Sequence, residues 1–531
     1  MTRFHIIGAG LSGLSAAITL AGNGHACNLI SLQPSERAQS VLAEGGINAA
    51  LNTMHEDDSP ALHFADTVRG GCGLADPEAV RGLTDHAPEI LRRLEQLGVP
   101  FHMQNGVLMQ RNFGGQKKKR TAYARSSTGK IMMTALIDEA RKYEAAGLIQ
   151  RYPHHEFLRL LRDGKGACAG VRCRDCYTGE ILDFAGAVLL CCGGMNGLFP
   201  EMTTGTTQNS GDAAAAVFMQ GVPLGNPEML QYHPTTVGIS GKRCLVSEAA
   251  RGEGGRLFIE RNGSRWYFME ELYPEYGNLA PRDVVAREMY LVRQRPDCGG
   301  QVYLDLTGFS AETWQKKLSD LREELTAYLS IDPKRQPVPV KEGIHYFMGG
   351  VLVDAKHRAG LPGLYAAGEC ACQYHGANRL GGNSMLGALY GGKVAAETAI
   401  AETPEPLPDM QFPADDAQDY APADPRLILE IRGILLSGLG IVRSAESLGA
   451  ALSSLAALSA ARAYNARETA RLRLAEAMLR AASERRESRG AHYRADYPQS
   501  DEQYRKTTVV RCENGIVSVS FMPLPEGGDC K

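Results

Sequence analysis

The residues best able to do chemistry in this 531-residue chain fall in a few short stretches. His375-Gly-Ala-Asn-Arg379-Leu-Gly-Gly-Asn383-Ser384 sets one arginine among neighbours too small to cover it, and an apolar-periodic run to Ala396 follows. Asn383 and Ser384 are residue types that accept from the free N–H groups of a first turn, so they are the expected cap of a helix. The N-terminal end of such a helix carries about half a positive charge and can stabilise electron density on a bound group, while Arg379 can fork onto a carboxylate. Gln231-Tyr-His233-Pro-Thr235 holds a histidine in extended backbone, because proline follows it. Ser247, Glu248 and Arg251 come next, with Glu248 and Arg251 spaced to share one helix face. Arg282 stands just after Pro281 at a helix start, and His345 lies among small and apolar residues in Gly343–Gly350. Taken singly, each is equally an ordinary ion pair or a packed imidazole.

The elements that must position them begin at the N-terminus. Phe4–Ile7 reads as a strand running into Gly8-Ala-Gly10-Leu-Ser-Gly13 and then a helix. Gly8 makes the tight turn, Gly10 lets a pyrophosphate approach the backbone, and Gly13 lets helix and strand pack closely. The second strand, Ala26–Ile30, ends in Ser31, where an acid would bind a ribose 2′-OH; a shorter hydrogen-bonding group favours FAD over NAD. Gly45-Gly46 allows backbone to lie flat against a planar ligand. Val188–Gly194 reads as a buried parallel strand ending in a second glycine pair. Asp212 opens an alanine-rich helix, as first-turn acid or as a cofactor contact. Gly363–Glu369 reads as the last parallel strand, with Glu369 able to accept from a ribityl hydroxyl. Ser384 and Leu386 of the following helix are further cofactor contacts. The chain thus leaves a dinucleotide fold near residue 226, inserts a domain, and returns near 344.

Pro404, Pro406, Pro408 and Pro413 mark a linker, and beyond Pro425 an Ala/Leu/Arg-rich run to Arg486 reads as two or three helices. The remainder to Lys531 reads as irregular polar sequence. With 57 basic and 60 acidic residues the net charge of -3 gives no general pull toward nucleic acid or anionic lipid. No apolar run reaches the ~18 residues of a membrane span, and the strand at Phe4 leaves no room for a signal peptide. Thirteen cysteines, mostly in apolar segments, read as reduced cytoplasmic thiols. Cys173 and Cys176 have no second pair at zinc spacing, so a cysteine-containing hairpin is expected there and no metal site. Lys117–Arg120 is a short basic loop, solvated or an attractor of dianions.

Gln231–Thr235, Ser247–Gly255, Ala280–Arg287, His345–Gly350, His375–Ser384 and Glu487–Pro498, in that order, resemble the flavoprotein subunit of the succinate dehydrogenase / fumarate reductase family, which also contains L-aspartate oxidase. The resemblance runs from Gly8 to about Tyr497. It implies an α/β architecture: a Rossmann-type FAD-binding domain (1–225 and 344–405), an inserted α+β capping domain (226–343), and a C-terminal helical domain with tail (406–531). It further implies that His233 and Ser247 hold one carboxyl group of a small dicarboxylate, and His345 and Arg379 the other. Arg282 matches the proton donor, fed through Arg251 and Glu248. An arginine is a poor acid in water, and the resemblance implies that crowding by further charges in a dry site makes it competent.

Three departures from the family pattern matter. Gln39 stands where the covalent flavin histidine would be, so FAD is expected to be held without a covalent bond, which biases the chemistry toward fumarate reduction. Ser247 replaces a threonine, keeping the hydroxyl. A short helical domain and tail bear on how an iron–sulfur electron-transfer subunit would dock. Such a partner would place the protein in the cytoplasm or at the inner face of the membrane. L-aspartate oxidase shares nearly every motif, but an acidic loop would then be expected where Phe113-Gly-Gly-Gln116 stands, and Phe113 and Gln116 match the dicarboxylate enzymes. A flavin-fold RNA-binding protein would need a basic aromatic stripe, and neither it nor a protein carrying FAD as a structural group explains His233, His345, Arg282 and Arg379.

Overall fold

Phe4–Ile7 is buried at every position, as a strand covered on both faces must be. In the computed structural model, which describes residues 4–125, 127–403 and 421–525, it is the centre of a five-stranded parallel sheet. The order is Leu364–Ala366, Ala187–Leu190, Phe4–Ile7, Cys27–Ser31, Ile149–Pro153. Helices Leu11–Gly22 and Asn383–Glu402 pack on one another over this sheet; Gly392 permits it, since a Cβ there would meet the Ser12 carbonyl oxygen at 2.2 Å. The C-terminal ends of these strands run into Gly8, Ser31, Gly193 and Glu369, where open parallel sheets bind ligands.

A six-stranded antiparallel sheet follows in the order Lys242–Leu245, Leu230–Ile239, Val338–Phe347, Cys298–Asp305, Arg256–Arg261, Ser264–Trp266. The strand Val338–Phe347 runs across the expected return point at residue 344, so this sheet borrows four further residues, 344–347. Helix Arg282–Arg293 lies against the sheet, and Val246, Leu257, Ile259, Phe268 and Trp314 form a core separate from that of the parallel sheet. Phe113, from the earlier segment, is buried in this second core. The expected hairpin forms too: Cys173 is buried in strand Cys168–Asp175 and Cys176 is exposed in the turn after it.

Helices Pro425–Gly438, Ala445–Ala460 and Ala466–Glu484 make the C-terminal bundle, with Asp424, Ser444 and Asn465 accepting from their first-turn N–H groups. The segment of Pro404, Pro406, Pro408 and Pro413 lies outside the described residues. The reading of the tail as irregular is overturned. Lys506–Glu513 and Ile516–Pro523 form an antiparallel hairpin turned by Asn514 and Gly515, both left-handed with φ of 50° and 78°. Asn-Gly between alternating apolar residues is a strong signal for such a two-residue turn. The hairpin extends a sheet ordered Ala371–Cys372, Gly350–Leu352, Leu224–Gly225, Lys506–Glu513, Ile516–Pro523. Among the described residues no helix is long and apolar enough to cross a membrane.

Candidate active site

A cavity of about 480 Å³ opens at the C-terminal ends of the parallel strands and continues under the antiparallel sheet. Backbone shape dominates one end. Gly8 has φ of 113°, and a Cβ there would sit 2.1 Å from the Cys191 carbonyl oxygen. Gly13 is a packing glycine, as its spacing implied, and does not line the cavity: its Cβ would meet the Gly8 carbonyl oxygen at 1.8 Å. Gly10, which has no side chain to offer, precedes the helix Leu11–Gly22; the Leu11 N–H donates to Ser40 Oγ at 3.1 Å, and Ser12, next in the first turn, lines the cavity. Gly45, Gly46 and Ser31 also line it, the Ser31 hydroxyl donating to the Gln33 carbonyl at 2.7 Å. Glu369 is half-buried there and accepts from the Phe347 N–H at 3.0 Å. Burial pushes its carboxyl up to about 7, against the pull of that N–H and of Arg379.

The second helix end differs from expectation. Gly382, left-handed at φ of 84°, precedes the helix Asn383–Glu402, and neither Asn383 nor Ser384 caps it. A Cβ at 382 would lie 2.1 Å from Asn48 Oδ1. The Asn383 side chain is spent on Asn48, His63 and Thr67, while Ser384 lines the cavity. Leu386 is no cavity residue; its side chain is fully buried in the core of the parallel sheet. Asp212 lines the cavity, yet both its oxygens are held by Arg471 at 2.6 and 2.8 Å, so it is first-turn acid and ion-pair partner at once.

At the other end charged and polar side chains converge. Glu248 is buried, with Arg282 Nε at 2.9 Å and Nη2 at 2.5 Å on one oxygen. Arg251 Nη2 at 3.2 Å and the Gly114 N–H at 3.1 Å reach the other. Burial alone would raise this carboxyl, but the Arg282 and Arg251 charges and these hydrogen bonds bring it down to about 2. Arg251 stands behind Glu248 and does not line the cavity; Arg282 and Glu248 do. The His233 and His345 rings meet edge to face at 5.1 Å, and burial with nearby positive charge drives both well below the ordinary imidazole range. Thr235 N–H lies 3.2 Å from His233 Nδ1, and the buried Nε2 has no partner among the described residues. Thr204 Oγ1 lies 2.7 Å from His345 Nδ1. Arg379 is buried over the Tyr346 ring at 4.4 Å, its Nε unpartnered. Burial and the Arg282 charge lower it to about 9.

Phe113 and Ser247 line the cavity among these groups, with Phe113 against Gly45. Gln116 does not reach it: its Nε2 donates to the Gly381 carbonyl at 2.7 Å, so it supports the backbone beside Arg379 instead. Gln39 lines the cavity and accepts from the Thr206 N–H. Several residues of the site went unassigned in the sequence. Gln231 bridges the two arginines, accepting from Arg282 Nη1 at 3.2 Å and donating to the Arg379 carbonyl at 2.9 Å. Glu44 lines the cavity, and burial pushes its carboxyl well up. Arg111 stacks over Tyr123 and donates to the Gly45 carbonyl. Of these only Gln231 carried a signal, its place in the Gln231–Thr235 motif.

Glycine backbone at Gly8 and Gly10, the helix start after it, and the half-buried Glu369 fit a dinucleotide with hydroxyl groups; His233 Nε2 and Arg379 Nε, without partners among the described residues, fit an anion. Comparison with known proteins agrees. Residues 5–385 match the family described as FAD binding domain, and residues 460–525 match that described as fumarate reductase flavoprotein C-term. The chain is 36% identical to the succinate dehydrogenase flavoprotein subunit of Bacillus subtilis over 95% of its length and 93% of that protein's. It is 34% identical to the L-aspartate oxidase of Streptomyces coelicolor, covering 95% of this chain and 90% of that protein. Its structure superposes on E. coli quinol fumarate reductase FrdA with a TM-score of 0.87, at 28% identity over 98% of this chain and 96% of that one.

Proposed function

The chain belongs to the family of FAD-dependent oxidoreductases that includes succinate dehydrogenase and fumarate reductase flavoproteins and L-aspartate oxidases, and within it we propose that this protein interconverts fumarate and succinate, with fumarate reduction favoured. The observation that carries the reading is the buried pair of like charges. Both arginines are buried and Arg282 lines the same cavity as Arg379; burial, with the Arg282 charge adding to it, lowers Arg379 to about 9, and a small dianion answers both charges.

Bound FAD supplies hydride transfer to the substrate's double bond. The chain's own residues do the rest. His233, protonated on Nε2, and the Ser247 hydroxyl hold one carboxylate. His345 and Arg379 hold the other, the latter by a planar fork. Because both imidazoles stay neutral, each donates one hydrogen bond without adding a third and fourth charge. Arg282 delivers a proton to the alkene carbon next to the one reduced, and Glu248 and Arg251 restore it. The Arg282–Glu248–Arg251 contacts of 2.5 and 3.2 Å support that relay, since each handover needs hydrogen-bond reach. Among the described residues, Glu248 is occupied by two arginines, Phe113 fills the neighbouring wall, and burial disfavours a charge on Glu44 that could answer an ammonium. That favours dicarboxylates over L-aspartate. Electrons reach the flavin from an iron–sulfur partner subunit in this reading, and FAD is retained without a covalent bond because an amide at Gln39 is a poor nucleophile.

Steady-state assays of the purified chain with fumarate, succinate and L-aspartate test the proposal. Fumarate should be reduced faster than succinate is oxidised, and acid precipitation should release all flavin to the supernatant. Iminoaspartate as the main product would reassign the site to amino-acid oxidation.

A further inference from the structure

Helix Ala466–Glu484 belongs to the C-terminal bundle, yet two of its side chains line the cofactor cavity. Arg467 and Arg471 are four residues apart and so stand one above the other on a single helix face. Arg471 forks onto Asp212, and Arg467 Nη1 lies 2.7 Å from Glu156 Oε1. Both acids line the same cavity. The sheet fixes which part of it they occupy. Ser31 pairs with Pro153, so Glu156 follows directly beside the end of the strand Cys27–Ser31. Asp212 opens its helix just after Asn209, whose side chain packs on Gly193 beyond the end of the strand Ala187–Leu190, with Phe4–Ile7 between that strand and Cys27–Ser31. Ser31, Glu156, Gly193 and Asp212 thus bound one region, beside the turn at Gly8 and Gly10. The arginine side chains are 17% and 13% exposed, which makes them wall residues and not surface ones.

We propose that Arg471, assisted by Arg467, binds the diphosphate-bearing half of FAD, so that the C-terminal helix is one wall of the cofactor site. Two bare carboxylates in this region would repel a diphosphate. Arg471 cancels the charge of Asp212, and Arg467 together with Arg174, whose Nη2 lies 2.5 Å from Glu156 Oε2, that of Glu156; the fork on Asp212 uses only the Nε–Nη2 edge of a guanidinium with five N–H groups. The Nη1 hydrogens are left to donate to phosphate oxygens. Cofactor binding and docking of the helix are then reciprocally linked: each stabilises the other.

The test uses the full chain freed of FAD and titrated with ADP and with lumiflavin, each at low and high salt. Wild type should bind ADP with a marked salt dependence. Arg471→Gln should weaken ADP about tenfold to a hundredfold, the loss of a charged hydrogen bond, and flatten the salt dependence, with lumiflavin binding unchanged. Arg467→Gln should move ADP in the same direction by less. A helix anchor without a ligand role predicts equal losses for both probes or none, and either result overturns the proposal. So does wild type that binds no ADP. Should Arg471→Gln not fold, the double variant Asp212→Asn/Arg471→Gln removes both partners of the pair. Persistent loss of ADP binding there supports the proposal, and recovery to wild type overturns it.

Discussion

The two ends of the cavity solve opposite problems. Around Gly8 and Gly13 the backbone is shaped so that no side chain fits, and the carboxylates of Asp212 and Glu156 are already paired with Arg471 and Arg467 before any ligand arrives. Around Arg282 and Arg379 the shape is made by side chains, and the interactions are left incomplete: His233 Nε2 and Arg379 Nε are buried without partners, and two cations share a dry space. A cofactor that stays bound is served by a site at rest without strain. A substrate that must be bound, changed and released is served by a site whose unmet interactions are answered best by the reacting species. Mutations at the two ends should therefore fail differently, the first losing flavin and the second losing turnover while remaining yellow.

The largest effect should come from Arg282→Gln, which is expected to lower fumarate turnover by about 10²–10⁴-fold with FAD content unchanged. A variant keeping more than about a tenth of wild-type activity would show that the proton comes from elsewhere. Arg379→Lys should come next. It keeps the charge and loses the fork, so a competitive dicarboxylate such as malonate should bind roughly tenfold more weakly; an unchanged inhibition constant would break the contrast drawn above. The pH dependence should be milder over the usual range. Arg379 binds anions only when protonated, so malonate affinity should hold up to about pH 9 and fall as pH rises through that value, by roughly tenfold at one unit above. Between pH 6 and 8 no break is expected, since burial and nearby arginine charge keep His233 and His345 neutral throughout. Smallest of all, Ser247→Thr adds one methyl while keeping the hydroxyl, and KM for fumarate should move less than about threefold.

What could be read in the sequence was whatever local spacing dictates. Gly8, Gly10 and Gly13 announce their roles because each is a backbone requirement met within a few residues. The Glu248–Arg251 pair is likewise a matter of helix periodicity. Direction was harder to read. Gln116 and Leu386 sit in the right stretches but point away, one to the Gly381 carbonyl and one into the core, since neighbouring residues on a turn or helix face different sides. Asn383 is a good capping type, and was claimed instead by Asn48, His63 and Thr67, partners more than 300 residues away in the chain. Arg467 and Arg471 look like any charged helix face until the fold sets them against Asp212 and Glu156. The hairpin after Lys506 carries its signal in Asn514-Gly515, a turn pair that the polar residues flanking it partly mask.

That hairpin also gives the molecule a clock. Strand Leu224–Gly225 is paired on one side by Gly350–Leu352 and on the other by Lys506–Glu513, with Leu224 opposite Val510. A growing chain makes Leu224 long before Val510 exists, and at ~5–20 residues per second the interval is roughly a quarter of a minute to a minute. Both edges of the strand are bare until Val351 is made, and one stays bare until Val510, open to whatever strand passes. Shortness is its protection, as two residues offer little to pair with. Removing the hairpin would make that edge permanent, and such truncated chains should aggregate during synthesis even where the cofactor cavity keeps all of its glycines.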